Sequence, residues 1–276
     1  MNRLPRPFRT SLLGLLAALA CTIANAAPVV AADGLTEGVV FRDLNLNGIQ
    51  DAAPAAEPGL ADVIVRAFDA AGVEVGSAAT RADGTFSLYA LGAKSDQVRI
   101  QVFPPAGLCS GPHTGGASTT VEFVRVGASK VIVGLAEAAD PAAESRGIEI
   151  GDRVWRDLDG DGLQTADEPP IPGVTVSLWG PAGRLASAVT DAQGRFFLVS
   201  SAESGQQLSL QLDNLIDYAA GPLSALTPTV KGAGTNRAVD SDAEVVNMLP
   251  RATFAAPAGG CADHGRDFGF VPFPRA

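Results

Sequence analysis

The stretch DLDGDGLQTADE, Asp157 to Glu168, sets a carboxylate at every second position, then a glycine, then a closing glutamate. That spacing suits a hard divalent cation, because calcium takes six to eight oxygens from a tight loop. Positions 1, 3 and 5 turn their side chains inward, position 6 needs glycine for the sharp turn, and position 7 gives its carbonyl. The ligands this predicts are Asp157, Asp159, Asp161, the Leu163 carbonyl, Thr165 through a water, and Glu168 as the bidentate closing residue. The alternative is an Asx-rich turn that caps a strand and binds nothing. Three carboxylates set so close repel one another without a cation, which favours the metal reading.

The flanks decide the fold. Before the loop stands IEIGDRVW and after it PPIPGVTVSL. Pro169, Pro170 and Pro172 follow Glu168 directly, and a residue before proline avoids the α region, so the helix–loop–helix setting of an EF-hand or dockerin is excluded. In GVTVSLWG, Val174, Val176 and Leu178 share one face, the period of a half-buried strand.

The same pattern occurs earlier. DLNLNGIQDAAPAAEP, starting at Asp43, aligns with the first loop positions, and Val63, Val65 and Gly84 align with Val174, Val176 and Gly194. The predicted ligands here are Asp43, Asn45, Asn47, the Ile49 carbonyl, Asp51 and Glu57. Position 12 is Pro54, so the acid arrives three residues late at Glu57, and this copy is expected to bind more weakly. Short alternating strands with a turn every 8–12 residues indicate β-sandwiches, and no stretch shows a helical stripe. The expected organisation is one domain at 34–138, a linker at 139–146 around Pro141, and a second domain at 147–272.

Residues 1–26 carry Arg3, Arg6 and Arg9, an apolar run and the small-x-small sequence Ala24-Asn25-Ala26, which predicts a cleaved export signal. Ala18 stands where a lipoprotein signal wants a large aliphatic residue before Cys21, so lipidation is not expected. No further apolar run is long enough to span a bilayer. The full chain carries a formal charge of −10, and losing three arginines takes it to −13. So acidic a chain repels nucleic acid and suits cations. Cys109 and Cys261 either pair in an oxidising compartment or stay as two thiols; with His113 and His264 nearby, a zinc site has looser spacing than is usual.

The second copy, GDRVWRDLDGDGLQTADEPPIPGVTVSLWG followed by TDAQGRFFL, resembles the SdrD B-like domain, a relative of the Cna B-type domain of bacterial surface proteins. Trp155, Gln164, Gly173, Thr190, Asp191 and Gly194 fall on the family pattern, and AVDSDAEV and DFGF resemble its later segments. The resemblance implies an all-β fold of two tandem prealbumin-like (Ig-like) Greek-key β-sandwiches. It also implies Ca2+ as cofactor, and adds Asp240 and Asp242 as candidate ligands of one of the two loops. The implied role is a secreted or cell-surface, non-enzymatic spacer or adhesin module whose partner is an extracellular protein or a surface or matrix component. Some Cna B-type domains carry Lys–Asn isopeptide bonds; the first strands here contain no lysine, so none is expected. A carbohydrate-binding module is the alternative, with Trp155 and Trp179 as the aromatic candidates. No nucleophile elbow, zincin, phosphate-loop or dinucleotide motif is present, so no enzyme is expected.

Overall fold

Period-two burial runs through the strands, as in β2 (Ile64–Phe68), where Val65 and Ala67 are buried between exposed neighbours. A computed structural model describes residues 34–54, 56–93, 95–127, 130–138 and 147–273. The expected export signal and the linker at 139–146 lie outside the described residues.

In the N-terminal half, β1 (Leu35–Arg42) lies between β4 (Thr85–Tyr89) and β8 (Lys130–Glu137). Opposite them stands a sheet of β3 (Glu74–Ala79), β2, β5 (Gln97–Phe103) and β7 (Val121–Arg125), in that order. One core joins the two layers, with Val40 and Phe86 from one and Val65 and Ile100 from the other. First and last strands are parallel neighbours, Val40 opposite Val133, which only a long crossover permits.

The C-terminal half repeats this order with a broken first strand, β9 (Ile148–Ile150) and β10 (Val154–Arg156). β10 runs parallel to the last strand, β19 (Phe268–Pro272), as β1 does to β8. The facing sheet is β12 (Gly183–Val189), β11 (Thr175–Gly180), β14 (Gln207–Gln211), β17 (Leu249–Ala255) and β16 (Glu244–Val246). A second core holds Ile150, Val176, Phe196, Leu210 and Phe268. β13 (Leu198–Ser200) pairs with β9, and β15 (Leu226–Pro228) with β19. Among the described residues one α-helix breaks the all-β pattern: α1, Leu215–Ala219, capped by the Asn214 side chain, which accepts from Ile216 N–H.

The halves are not separate beads. β6 (Leu108–Ser110) pairs with β8 on one side and with β18 (Ala262–Asp263) on the other, and β18 pairs with β9. A single seven-stranded sheet, β13-β9-β18-β6-β8-β1-β4, therefore crosses from one half to the other. Cys109 and Cys261 are joined by a disulfide beside the Ser110–Ala262 rung. Both sulfurs are consumed, which removes the zinc reading.

Candidate metal centres

Loop 2, Asp157 to Glu168, hangs from the end of β10. Asp157 is buried: its Oδ1 accepts Gly160 N–H at 2.6 Å, and its Oδ2 accepts Gly162 N–H at 2.9 Å and the Thr229 hydroxyl. Burial pushes its carboxyl up, but those donors outweigh burial and leave it below the ordinary value. Asp159 and Asp161 close successive Asx turns on Asp161 N–H (3.2 Å) and Leu163 N–H (2.7 Å). One oxygen from each of Asp157, Asp159 and Asp161 lies within 4.8 Å of the others. Burial, then the charges of Asp159 and Asp157, raise Asp161. Gly162 has φ +79°, and a Cβ there would sit 2.5 Å from the Val230 carbonyl oxygen, so the sharp turn is reserved for glycine.

Glu168 closes the loop. Its Oε1 accepts Leu158 N–H at 3.0 Å and its Oε2 accepts Thr165 N–H at 2.8 Å. Burial, with the charges of Asp157 and Asp159, pushes it up to about 7. Each oxygen keeps a lone pair for a cation, and a cation would relieve the crowding of negative charge. The donor set thus fits calcium: oxygen only, and four carboxylates on one loop.

Loop 1 follows β1 in the same way. Asp43 is buried, with Oδ1 on Asn47 N–H (3.1 Å) and Oδ2 on Gly48 N–H (2.9 Å); burial raises its pKa. Asn45 and Asn47 close the same two Asx turns, on Asn47 N–H and Ile49 N–H. Glu57 Oε1 accepts Leu44 N–H at 2.7 Å and Oε2 accepts Asp51 N–H at 3.2 Å. Those are loop positions 2 and 9, the positions that Leu158 and Thr165 hold for Glu168. The late glutamate reaches the seat, and the extra residues bulge ahead of it. The difference lies elsewhere: Asn45 and Asn47 turn their amide NH2 groups onto Asp51 Oδ2, at 2.6 and 3.0 Å.

Of the two further acids, Asp240 comes to loop 2 by its backbone. It bridges Leu163, and flanking bonds run from Gln164 N–H to the Val239 carbonyl and from Ser241 N–H to the Gly162 carbonyl. Its side chain pairs with Arg237, while Oδ1 is buried without a partner. Asp242 is not brought to either loop: it accepts from Arg266 and from Asp267 N–H. In the N-terminal half Ser118 takes the place of Asp242: its N–H bonds the Ile132 carbonyl and its Oγ accepts Ile132 N–H, as Asp242 does with Asp267, Ile132 and Asp267 holding matching positions beside β1 and β10. Trp155, the first aromatic candidate for sugar stacking, is fully buried; Trp179 gives its indole N–H to Asp213 at 3.0 Å.

Sequence reading missed the buried junction between the halves. Glu149 Oε1 receives His113 N–H at 2.6 Å and meets His264 Nε2 at 2.8 Å, while His264 Nδ1 meets Ser110 Oγ at 3.1 Å. The His113 ring stacks on Phe197 with centroids 4.0 Å apart. Nearby, the Arg153 guanidinium lies 4.0 Å above the Phe123 ring and donates to the Glu168 carbonyl. The proximity of His113 to Cys109 and of His264 to Cys261 was the only signal for any of this.

The family model of the SdrD B-like domain matches residues 148–270. The C-terminal half is an SdrD B-like domain. Loop 2, β10 and β19 of this SdrD B-like domain all fall inside the match. Serine-aspartate repeat-containing protein F of Staphylococcus epidermidis is 27% identical over 215 residues, 76% of this chain and 12% of that protein. Protein E of the same naming, from Staphylococcus aureus strain Newman, is 30% identical over 164 residues, 57% of this chain and 13% of that protein. The chain thus spans about an eighth of the length of the curated relatives it matches. Among solved structures, the minor pilin GBS52 of Streptococcus agalactiae covers 88% of this chain and 97% of itself at 10% identity and a TM-score of 0.28. The shaft pilin SpaA of Lactobacillus rhamnosus GG covers 88% and 99% at 8% identity and 0.27. Both scores are low, and the fold rests on the strand order given above.

Proposed function

We propose that this chain is an exported, non-enzymatic, calcium-binding module that serves as a structural spacer or adhesin segment outside the cell. Residues 34–138 act in it as a second, divergent SdrD B-like domain beside residues 147–272. One observation carries the calcium reading. Two loops of different length seat their closing glutamates on the same two backbone positions, below a row of inward Asx residues. Asp157, Asp159, Asp161 and Glu168 would supply side-chain oxygens and Leu163 its carbonyl, with Thr165 acting through water. Asp43, Asn45, Asn47, Ile49, Asp51 and Glu57 would do so in loop 1. The cation's part is to neutralise the clustered acids and tie each loop closed; the partner fits as an extracellular protein or a surface or matrix component.

A site binding at ~10 µM under millimolar calcium stabilises the fold by about 2.7 kcal/mol. Chelation is therefore expected to lower the melting temperature by roughly 5–10 °C for a chain of this size. Calorimetric titration of the purified protein should give one stronger and one weaker site. No heat of binding, together with equal melts in calcium and in chelator, would sink the reading.

A further inference from the structure

Two devices act on the same pair of strands at the junction. The first is covalent, Cys109 of β6 bonded to Cys261 just before β18. The second is the buried chain Ser110–His264–Glu149–His113, whose ends belong to the N-terminal half and whose middle belongs to the C-terminal half. Of the chain's two histidines, His264 enters through its ring and His113 through its backbone N–H. Ser110 adjoins Cys109, and His264 follows Cys261 by three residues, so both devices fix one rung, Ser110 against Ala262. Glu149 is 4% exposed. Hydrogen bonds to so buried a carboxylate are not exchanged for water unless the junction opens.

We infer that the junction is a double latch: the disulfide and the Glu149 network each suffice to hold the two sandwiches in one orientation, and the halves part only when both are lost. The two latches fail for different reasons. A reductant breaks the disulfide and leaves the carboxylate network in place, so the tandem keeps its shape in reducing as well as oxidising surroundings. Other contacts between the halves include Thr119 to Asp152 (3.1 Å), Gln101 with Asn236 through two hydrogen bonds (2.9 and 3.4 Å), and Arg153 over Phe123. The inference does not depend on whether either loop takes a cation.

The test compares the full chain with Cys109→Ala/Cys261→Ala, with Glu149→Ala and with the triple variant, all at one calcium concentration. Amide hydrogen exchange of β6 and β18 and the maximum dimension from small-angle scattering are the readouts. The expected result is wild-type behaviour for the first two variants. The triple variant should show roughly tenfold or greater acceleration of exchange in β6 and β18, with a longer maximum dimension. Should Glu149→Ala fail to fold, His264→Gln takes its place in the series: it breaks the other crossing, Ser110 to His264, and leaves His113 N–H on Glu149. Opening after either single loss overturns the redundancy. A closed triple variant overturns the latch itself and shows that the remaining contacts hold the halves.

Discussion

Loops 1 and 2 share a frame and differ in filling. In both, a glutamate receives the N–H groups of positions 2 and 9, and two Asx turns follow a buried aspartate. In loop 2 the Asx residues are aspartates, and three carboxylates crowd within 4.8 Å. In loop 1 they are asparagines whose amides grip Asp51. Loop 1 answers its own charge with N–H donors, whereas loop 2 leaves three carboxylates crowded where they could hold a metal ion. The frame comes from the glutamate and the turns, and the difference in charge comes from positions 3 and 5.

The sharpest way to break this comparison is to remove the two glutamates. Glu168→Ala strands Leu158 and Thr165 N–H groups and is expected to cost roughly 2–4 kcal/mol, read by denaturant unfolding. Glu57→Ala should cost a similar amount in chelator, because the seat is the same. In calcium the Glu168 variant should lose more, and equal losses in calcium would mean that loop 1 uses the cation as fully as loop 2.

A second test converts one filling into the other. Asn45→Asp/Asn47→Asp sets new carboxylates against Asp51. It is expected to lower stability in chelator by about 1 kcal/mol and to tighten calcium binding at loop 1 by roughly tenfold, about 1.4 kcal/mol. Calorimetric titration against wild type reads the change; unchanged affinity would show that charge at positions 3 and 5 is not what separates the loops.

The turn itself gives a smaller effect. Gly162→Ala must adopt φ near +79° and meet the Val230 carbonyl, and it is expected to lose about 1–3 kcal/mol in a thermal melt. The smallest effect comes from outside the loops. Glu122 lines the cleft beside Asp152, Arg153 and Glu168; burial, then the Asp152 charge, pushes it up to about 7. A carboxyl raised in the fold gives stability that is full below its unfolded value, near 4.5, and is lost as pH climbs through about 7. Glu122→Gln should flatten that part of the stability–pH curve, whose slope is at most ~1.4 kcal/mol per pH unit. An unaltered curve would place the titration elsewhere.

Much of the fold was legible because its signals are local. Alternation at Val174, Val176 and Leu178 names a strand from a few residues, and the prolines after Glu168 exclude a helix. The helix α1 was not legible: five residues held by the Asn214 cap leave no stripe to read. At the loops, the acids and amides that line each turn were readable from spacing, but the reach of Glu57 was not. Whether a longer loop can bulge and still deliver its acid depends on the strand ends that hold it. Asp242 shows the converse, an acid on the family pattern that Arg266 and Asp267 occupy.

The sequence by itself determined the all-β class, the two acidic loops and the glycines of their turns, since each follows from backbone preferences and side-chain charge within a dozen residues. Tertiary structure alone decided that Cys109 meets Cys261 across 152 residues, that one sheet runs through both halves, and that both histidines converge on Glu149. Those pairings join segments distant in the chain. Their energy depends on which strand edges lie side by side, and no local pattern encodes that.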